Sequence, residues 1–384
     1  MLSEKAAQDA EFTRCKYLAE RCNEAGDYEK ALYWSRLPTS KKDPEAIMQR
    51  LEILQKMRRF EAAAELASTV LVDADHFLKK AVLGAMTYPL LALGAREGDM
   101  AAAFKVLFDA HESGRMHTSI AQWTGQPLQG KSILVTHPFG RFGGHGDAIM
   151  LARFLPILAQ RGARIVIQCN PLLARLFCAI PCVFSVCAYE DNPPCDFTAP
   201  LTGLPHLLGL RQIPHTKPFN IHPLPMPEGV KSVGINWGAS WVASYMDRTC
   251  ALAELMPLTT IEGVQLYSLQ KGNYAKQLYP APAGMNVFDL APRLNDFLDT
   301  ANMLASLDAV VTTDSVVANL SCMLGRPTFA LVPKLGDFRW GDGAVSPWFP
   351  TARVYRQETA GDWSGPISKL TADLEAFLSS TKEP

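Results

Sequence analysis

About the first 120 residues follow a helical pattern of hydrophobic and polar positions, without the alternation that marks strands. Three similar phrases recur there, about 32 and 40 residues apart: Gly26-Asp27-Tyr28-Glu29-Lys30-Ala31-Leu32, Arg58-Arg59-Phe60-Glu61-Ala62-Ala63-Ala64 and Gly98-Asp99-Met100-Ala101-Ala102-Ala103-Phe104. Each phrase predicts a turn that leads into a helix, in which small Ala residues allow close packing. We therefore predict an all-α N-terminal domain, residues 1–125, that serves packing or recruitment.

From Lys131 onward, strands, loops and helices alternate. Strands are predicted at 132–136, 164–169, 232–237, 264–269, 309–313 and 328–332, and helices at 148–160, 296–307, 315–324 and 367–378. A proline-rich stretch, 214–227, predicts an extended linker between two such series. The pattern indicates two Rossmann-like α/β domains with parallel sheets, 131–225 and 230–384, that face a cleft. Ligands of these sheets bind beyond the carboxyl ends of the strands.

Composition narrows the classes of function. With 48% hydrophobic and 20% charged residues, the chain can bury a sizeable core, and its formal net charge of -1 lacks the basic excess of nucleic-acid-binding proteins. The first residues contain no apolar signal-peptide core. The most apolar early run, 82–95, is interrupted by Pro89 and shorter than the ~18 residues of a membrane span. We expect a cytoplasmic protein with neither a membrane span nor a nucleic-acid partner.

Five of the nine cysteines form a loose group: Cys169, Cys178, Cys182, Cys187 and Cys195. The chain has no CxxC pair and no histidine at zinc-finger spacing, which argues against a structural zinc site. Reduced thiols that pack as small hydrophobic residues fit the pattern better.

A glycine-rich loop, 140–147, follows the first predicted strand. Its glycines allow a sharp turn and a close approach of the backbone to a ligand. Asp147 stands where the next helix begins, facing the cleft, and is a candidate for a helix N-cap or for a general base. No Gly-Lys-Ser/Thr follows, so this is not a Walker loop.

A second turn from strand to helix runs through Asp314 and Ser315. The N–H groups and the dipole at the start of the helix form an anion site that suits a diphosphate. Both residues are also good N-caps, which is the structural alternative.

Other candidates lie at or just beyond strand ends. Arg248 and Lys271 are natural partners for phosphate, or else solvated surface cations. Aromatic residues follow the last predicted strand and could line a sugar or base pocket, or pack the C-terminal helices onto the sheet: Phe338-Arg339-Trp340, Trp348-Phe349 and Trp363.

The chain resembles bacterial tetratricopeptide-repeat proteins that carry a glycosyltransferase-like domain, relatives of heptosyltransferases and, more distantly, of protein O-linked N-acetylglucosamine transferases. The spacing of the N-terminal phrases is close to the 34-residue period of those repeats. An ordinary helical bundle is the alternative. The other residues that carry the resemblance are GHGDAIMLARFLPILAQRGARIV from Gly144, Trp237-Gly238, YSLQKG from Tyr267, the segment from Asp296 to Pro333, and SPWFPTARVYRQ from Ser346.

This resemblance implies a GT-B fold and an inverting transfer of a sugar from a nucleotide-diphosphate co-substrate to a hydroxyl acceptor, without an obligatory metal or other cofactor. It assigns to Asp147 the role of the base that deprotonates the acceptor, and to Arg248 a phosphate contact. Asp314 and Ser315 would lie at the donor diphosphate. The predicted donor side is completed by Gly144, Gly146, Trp237, Gly238, Gln270, Lys271 and Asn319.

Three positions depart from the family pattern, and the mildest departure is Ser315, where relatives usually have Thr. Relatives usually have His where Asn319 stands, and often Leu, Tyr or Asp where His145 stands, so His145 is a second candidate for the base. The alternative function is an inactive GT-B scaffold whose helical repeats recruit a protein partner. A repeat domain in front of a transferase suggests an acceptor on a protein or a surface glycan.

Overall fold

The computed structural model describes residues 2–36, 43–71, 76–112, 119–137, 144–191, 193–239 and 248–380. The chain divides into two compact units, Met1–Met116 and His117–Pro384. The first half of the predicted glycine-rich loop, residues 140–143, lies outside the described residues.

The first unit consists of helices, namely α1 (Leu2–Glu24), α2 (Tyr28–Arg36), α3 (Pro44–Lys56), α4 (Phe60–Leu71), α5 (His76–Glu97) and α6 (Ala101–Glu112). Its core gathers Leu32, Ile47, Leu51 and Val82. The same position in each of the three phrases carries a buried alanine: Ala31, Ala63 and Ala103. The small side chains therefore lie where helices pack, as the phrases predict.

Three turns join these helices in pairs and are built alike. The turn residues have positive φ angles, 76° at Gly26, 54° at Arg58 and 74° at Gly98. After each of them an N–H donates back to the carbonyl of a residue in the preceding helix: Asp27 to Cys22, Arg59 to Leu54 and Asp99 to Gly94, at 2.9, 2.9 and 3.0 Å. This closes the helix ends in the way typical of left-handed C-caps. Their assignment to tetratricopeptide repeats stays a prediction.

The predicted helical domain, 1–125, runs past the end of this unit. The last helix ends at Glu112, and Gln122 pairs with Thr198 in the second unit, where the Trp123 N–H donates to the Thr198 carbonyl at 2.9 Å. Residues 119–125 therefore belong with the α/β part of the chain. Across the ranges that the structure covers, no helix has both the length and the hydrophobicity to cross a bilayer.

The second unit opens with a four-stranded parallel sheet in the order β3-β2-β1-β4. The strands are β1 (Ser132–Thr136), β2 (Arg164–Gln168), β3 (Val183–Cys187) and β4 (Phe197–Pro200), with helices α7 (His145–Leu151), α8 (Leu155–Ala159), α9 (Pro171–Cys178) and α10 (Leu204–Leu207). The single helix predicted at 148–160 is interrupted by a 3-10 turn, Ala152–Phe154, just before Pro156, which lies in the first turn of α8. A proline is tolerated in the first turn of a helix, whereas it would break a helix interior.

A six-stranded parallel sheet follows in the order β10-β9-β8-β5-β6-β7. Its strands are β5 (Lys231–Asn236), β6 (Val264–Ser268), β7 (Val287–Asp289), β8 (Ala309–Thr313), β9 (Thr328–Val332) and β10 (Ala352–Arg356). They are accompanied by α11 (Phe297–Ser306), α12 (Val316–Met323) and α13 (Ser364–Ser380). All residues of β8 and β9 are buried, as expected for inner strands of a parallel sheet covered on both faces.

All six predicted strands are present, and the structure adds β3, β4, β7 and β10. Two of the extra strands, β3 and β7, carry weak signals in the sequence. β7 has only three residues, one of them the exposed Phe288, and β3 has no fully buried residue. Weak burial removes the hydrophobic pattern on which strand prediction depends.

Candidate active site

A cavity of about 790 Å³ opens at the carboxyl ends of the second sheet and reaches the start of α7 in the first half of the unit. It is lined by eleven of the twelve predicted site residues, all except Trp237. The loops after β5, β6 and β8 supply most of this lining. The parallel topology brings these strand ends to one edge, as the alternating pattern predicts.

Asp147 lies in the first turn of α7, at the third residue of the helix. The N-cap position is occupied by Gly144, which has no side chain to cap with, so Asp147 does not cap this helix. The Asp147 carboxylate is left to face the cavity, and its side chain is 29% exposed. A Cβ on Gly144 would stand 2.6 Å from Asp147 Oδ2, so a side chain at this position would have to displace the carboxylate.

Arg339, from the 3-10 turn Phe338–Trp340 after β9, reaches across the cavity to Asp147. Its Nη2 donates to Asp147 Oδ1 at 2.8 Å, and its Nε donates to Asp337 Oδ1 at 2.9 Å. Burial works against the guanidinium charge, but the carboxylates of Asp337, Asp147 and Asp314 outweigh it and raise the pKa of Arg339. Sequence reasoning assigned no ionic role to Arg339 and missed Asp337. Their place beyond a strand end was the available signal.

Asp314 is almost completely buried, at 1% exposure. One of its oxygens lies 3.8 Å from Nη1 of Arg248. Burial raises the pKa of Asp314, the neighbouring Asp337 adds to that rise, and the cations Arg339 and Arg248 oppose it. The Asp314 carboxylate therefore faces arginines of the protein, and it forms an ion pair with Arg248 at the cavity wall.

Ser315 is the N-cap of α12, and its hydroxyl accepts a hydrogen bond from the Ala318 N–H at 3.4 Å. The N-cap interpretation of Ser315 is therefore correct, and it leaves the first N–H groups of α12 beside the cavity, where Val316 and Val317 are lining residues. The anion-site interpretation is compatible with this cap, because the dipole and the remaining N–H groups are unaffected.

Asn319, one turn into α12, is 2% exposed. Within the described part of the chain, its Oδ1 has no hydrogen-bond partner. Its amide nitrogen lies against Gly146, where a Cβ would come within 2.3 Å. Gly146 thus allows α7 and α12 to meet directly, and it brings the Asp147 turn next to the Ser315 turn.

Gln270 and Trp237 hold the protein together: the first bonds two strand ends, and the second packs in the core. Gln270 Oε1 accepts hydrogen bonds from Asn236 Nδ2 at 2.9 Å, from the Trp237 N–H at 3.1 Å and from the Gly238 N–H at 2.7 Å. The side chain therefore ties the end of β6 to the end of β5. The prediction that Trp237 lines the donor site is wrong, because its fully buried ring belongs to the hydrophobic core of the second sheet.

Lys271 and Gly238 line the other wall. Lys271 is exposed, and its ammonium group donates to the Leu294 carbonyl. A Cβ on Gly238 would overlap the ring of Tyr274, with the nearest atom at 2.3 Å. Tyr274 therefore packs directly against this backbone at the cavity rim, and sequence reasoning did not identify it.

His145 is half-buried at the first residue of α7 and packs against Phe297 of α11, with 5.2 Å between the ring centroids and the two rings tilted by 49°. Burial lowers the pKa of His145, and a hydrogen bond with Asn170 opposes that shift. The imidazole is therefore neutral near pH 7 and lies in the same cavity as Asp147, so both candidates for the base remain in position.

The aromatic residues after β9 pack into the protein. Trp340, Trp348, Phe349 and Trp363 are all buried, which favours the packing interpretation over a pocket lining. Within the described ranges, no group of three His, Cys, Asp or Glu side chains is placed to hold a metal ion. Metal independence stays a prediction.

No family model matches the chain. Protein FlbA of Caulobacter vibrioides is 24% identical over 330 residues, which cover 76% of this chain and 54% of FlbA. The chain thus spans about half the length of the curated relative it matches.

Two solved structures of glycosyltransferases are similar. The family 9 glycosyl transferase from Veillonella parvula is 12% identical, with a TM-score of 0.50, and the match covers 67% of this chain and 100% of that one. The ADP-heptose heptosyltransferase II from E. coli is 14% identical, with a TM-score of 0.48 and coverage of 66% and 100%.

The two parallel sheets of the second unit, with a cavity at the strand ends, agree with the first of these matches. The chain has a GT-B-like glycosyltransferase fold. The predicted fold class is confirmed at this level. The GT-B-like fold accounts for the position of the cavity, since α7 of the first half and the strand ends of the second half form its opposite walls.

Proposed function

We propose that this GT-B-like protein is an inverting glycosyltransferase, which moves a sugar from a nucleotide-diphosphate donor to a hydroxyl acceptor. One observation carries the proposal. The Asp147 carboxylate and the N-terminus of α12 line the same cavity, one on each half of the unit. A group that takes a proton and a group that stabilises negative charge thus face the same space.

On the acceptor side, Asp147 removes the proton from the attacking hydroxyl. Its Oδ1 is held by Arg339. In the described part of the chain, no hydrogen bond reaches Oδ2, so this oxygen is available to the acceptor. His145 is the second candidate for this proton transfer because it is half-buried in the same turn. General base catalysis of this kind contributes roughly 10²–10⁴-fold to a rate.

On the donor side, the diphosphate occupies the N-terminus of α12, beside Arg248 and Lys271. The helix N–H groups and these cations stabilise the negative charge of the departing diphosphate. Asp314 fixes Arg248 from behind, whereas Lys271 is exposed and keeps further N–H donors for phosphate oxygens. The reaction needs no metal in this scheme.

The helical first unit gives the transferase a partner surface. The three similar hairpins are the tetratricopeptide-like element of this proposal, and they recruit either the acceptor protein or another protein partner. The acceptor is a hydroxyl on a protein or a surface glycan, and the reaction takes place in the cytoplasm of a bacterium.

Isothermal titration of the full chain with nucleoside diphosphates, followed by transfer assays with the matching sugar nucleotides, tests this function. We expect micromolar binding of at least one diphosphate and transfer from its sugar conjugate. Asp147→Asn should lower kcat by roughly 10²–10⁴-fold, with the dissociation constant of the diphosphate nearly unchanged, because Asp147 lies on the acceptor side.

Asp191→Asn is the matched control, since Asp191 is an exposed carboxylate outside the cavity. It should behave as the unmodified chain does. Absence of binding to every diphosphate would favour the inactive scaffold, and full turnover by Asp147→Asn would transfer the role of base to His145.

A further inference from the structure

The backbone that carries Arg339 is fixed by contacts on both sides of the residue. Asp337 caps the short 3-10 turn by accepting from the Arg339 N–H at 3.3 Å. On either side of Arg339, Phe338 packs against Trp348 and Trp340 against Phe349, with ring centroids 5.5 and 5.7 Å apart. The guanidinium is therefore held from the protein core, on the half of the unit opposite to Asp147.

The contact between Arg339 and Asp147 has the geometry of a strong charged hydrogen bond. The Nη2–Oδ1 distance is 2.8 Å, and the arginine is only 7% exposed, so water reaches the pair from the Asp147 side alone. Asp337 takes the Nε side of the same guanidinium at 2.9 Å, which prevents the fork from rotating. Asp337 thus fixes Arg339, and Arg339 in turn fixes Asp147.

This contact also decides which Asp147 oxygen is available. Oδ1 is occupied by Arg339, while Oδ2 lies beside Gly144, where a side chain would stand only 2.6 Å away. A carboxylate held at one oxygen cannot turn freely, so the second oxygen keeps one direction. Reaction rates are sensitive to such placement, since a displacement of about 1 Å can cost about 10²-fold.

We infer that Arg339 is a positioning residue for Asp147, which reaches over from the donor half of the unit and aims the free carboxylate oxygen at the acceptor hydroxyl. This inference rests on the proposed function. If it holds, the geometry of the base depends on a side chain from the opposite half of the unit, which the proposed function alone does not require. Removal of Arg339 should therefore affect turnover more than donor affinity.

Arg339→Gln tests this in a transfer assay on the full chain. We expect kcat to fall about 10²-fold with a nearly unchanged KM for the donor, and Arg339→Lys to lose less, because an ammonium keeps the charge but not the planar fork. The double variant Asp147→Asn/Arg339→Gln should be no slower than Asp147→Asn alone, since residues that act as a unit are not additive. Multiplied losses in the double variant, or an unchanged kcat in Arg339→Gln, would overturn the inference.

A second measurement does not require turnover. Carbodiimide-driven coupling of glycine ethyl ester, read by peptide mass spectrometry, reports how accessible each carboxylate is. Asp147 should be modified several-fold faster in Arg339→Gln than in the unmodified chain, while Asp191 keeps its rate. Equal labelling of Asp147 in both proteins would overturn the inference.

The two measurements separate the possible failures. If the unmodified chain transfers sugar from no donor, the proposed function fails, and the labelling result still decides whether Arg339 holds Asp147. If Arg339→Gln does not fold, Arg339→Lys carries both measurements, because it keeps a positive charge beside Asp147, Asp337 and Asp314.

Discussion

Gly146 is a single residue on which the closeness of the two cavity walls depends. A Cβ at this position would stand 2.3 Å from the Asn319 amide nitrogen and 3.6 Å from the Val316 Cα. Asn319 is buried and has little room to move. Any side chain at 146 must therefore displace the Asn319 amide or push α7 away from α12, and with it the Asp147 turn away from the Ser315 turn.

Gly146→Ala is accordingly expected to lower the free energy of unfolding by about 1–3 kcal/mol, the usual cost of overpacking a filled site. Urea unfolding of the full chain, followed by tryptophan fluorescence, measures this change. Gly365→Ala is the matched control, because Gly365 lies in α13 with open space around it and should gain up to about 1 kcal/mol.

Asn319→Ala provides the second half of this experiment. It removes the amide that the new methyl group would meet, so the double variant Gly146→Ala/Asn319→Ala should be less destabilised than the two single changes add up to. Strictly additive losses would mean that the contact between α7 and α12 does not set the cost.

At the scale of elements, the helical unit depends on its three turns. Gly98 has a φ angle of 74°, and a Cβ there would meet nothing within 4 Å. The position needs glycine for the conformation of the backbone alone. Arg58 holds the equivalent place with a φ angle of 54°, so the sequence tolerates a side chain in one of the three turns.

Replacement of Gly98 should therefore cost stability according to how well the new residue accepts left-handed backbone. Gly98→Ala is expected to lose about 1–2 kcal/mol, and Gly98→Asn clearly less, because Asn visits this region readily. Thermal unfolding monitored by circular dichroism at 222 nm compares the two. Equal melting temperatures of both variants and the unmodified chain would show that this turn is dispensable.

At the scale of the second unit, Arg153 joins the two halves around the sheets. This buried side chain donates to the carbonyls of Met150, Trp348 and Pro214, at 2.9 Å for Trp348, and its guanidinium carbon lies 5.2 Å from the centroid of the Phe349 ring. Burial lowers the pKa of Arg153 to about 10, so the group is still charged at neutral pH. Arg153 therefore contacts three parts of the second unit, namely its first half, the linker and the C-terminal loops.

We expect Arg153→Met to lower the free energy of unfolding by about 1–3 kcal/mol, because buried carbonyls lose their donor. Guanidinium chloride unfolding measures the loss. Arg161→Gln is the control, since Arg161 is exposed in the turn after α8 and should stay within about 0.5 kcal/mol of the unmodified chain. If Arg161→Gln lost as much free energy of unfolding as Arg153→Met, the effect would come from removal of a positive charge and not from the buried contacts of Arg153.

The sequence alone was sufficient for the elements that carry strong local patterns. The apolar runs 309–313 and 328–332 form β8 and β9 with the same bounds, because a fully buried strand must be hydrophobic on both faces. The turns at Asp147 and Asp314 follow strand ends, and parallel strands place those ends at one edge. For this reason eleven predicted residues line a single cavity.

Only the tertiary structure decided what those side chains touch. Arg339 meets Asp147 from 192 positions along the chain, and no local pattern encodes such a distant pair. Trp237 and Gly238 are neighbours in the sequence, yet one enters the core and the other lines the cavity. Successive side chains at a strand end point to opposite faces, and which face is covered depends on the elements that pack there.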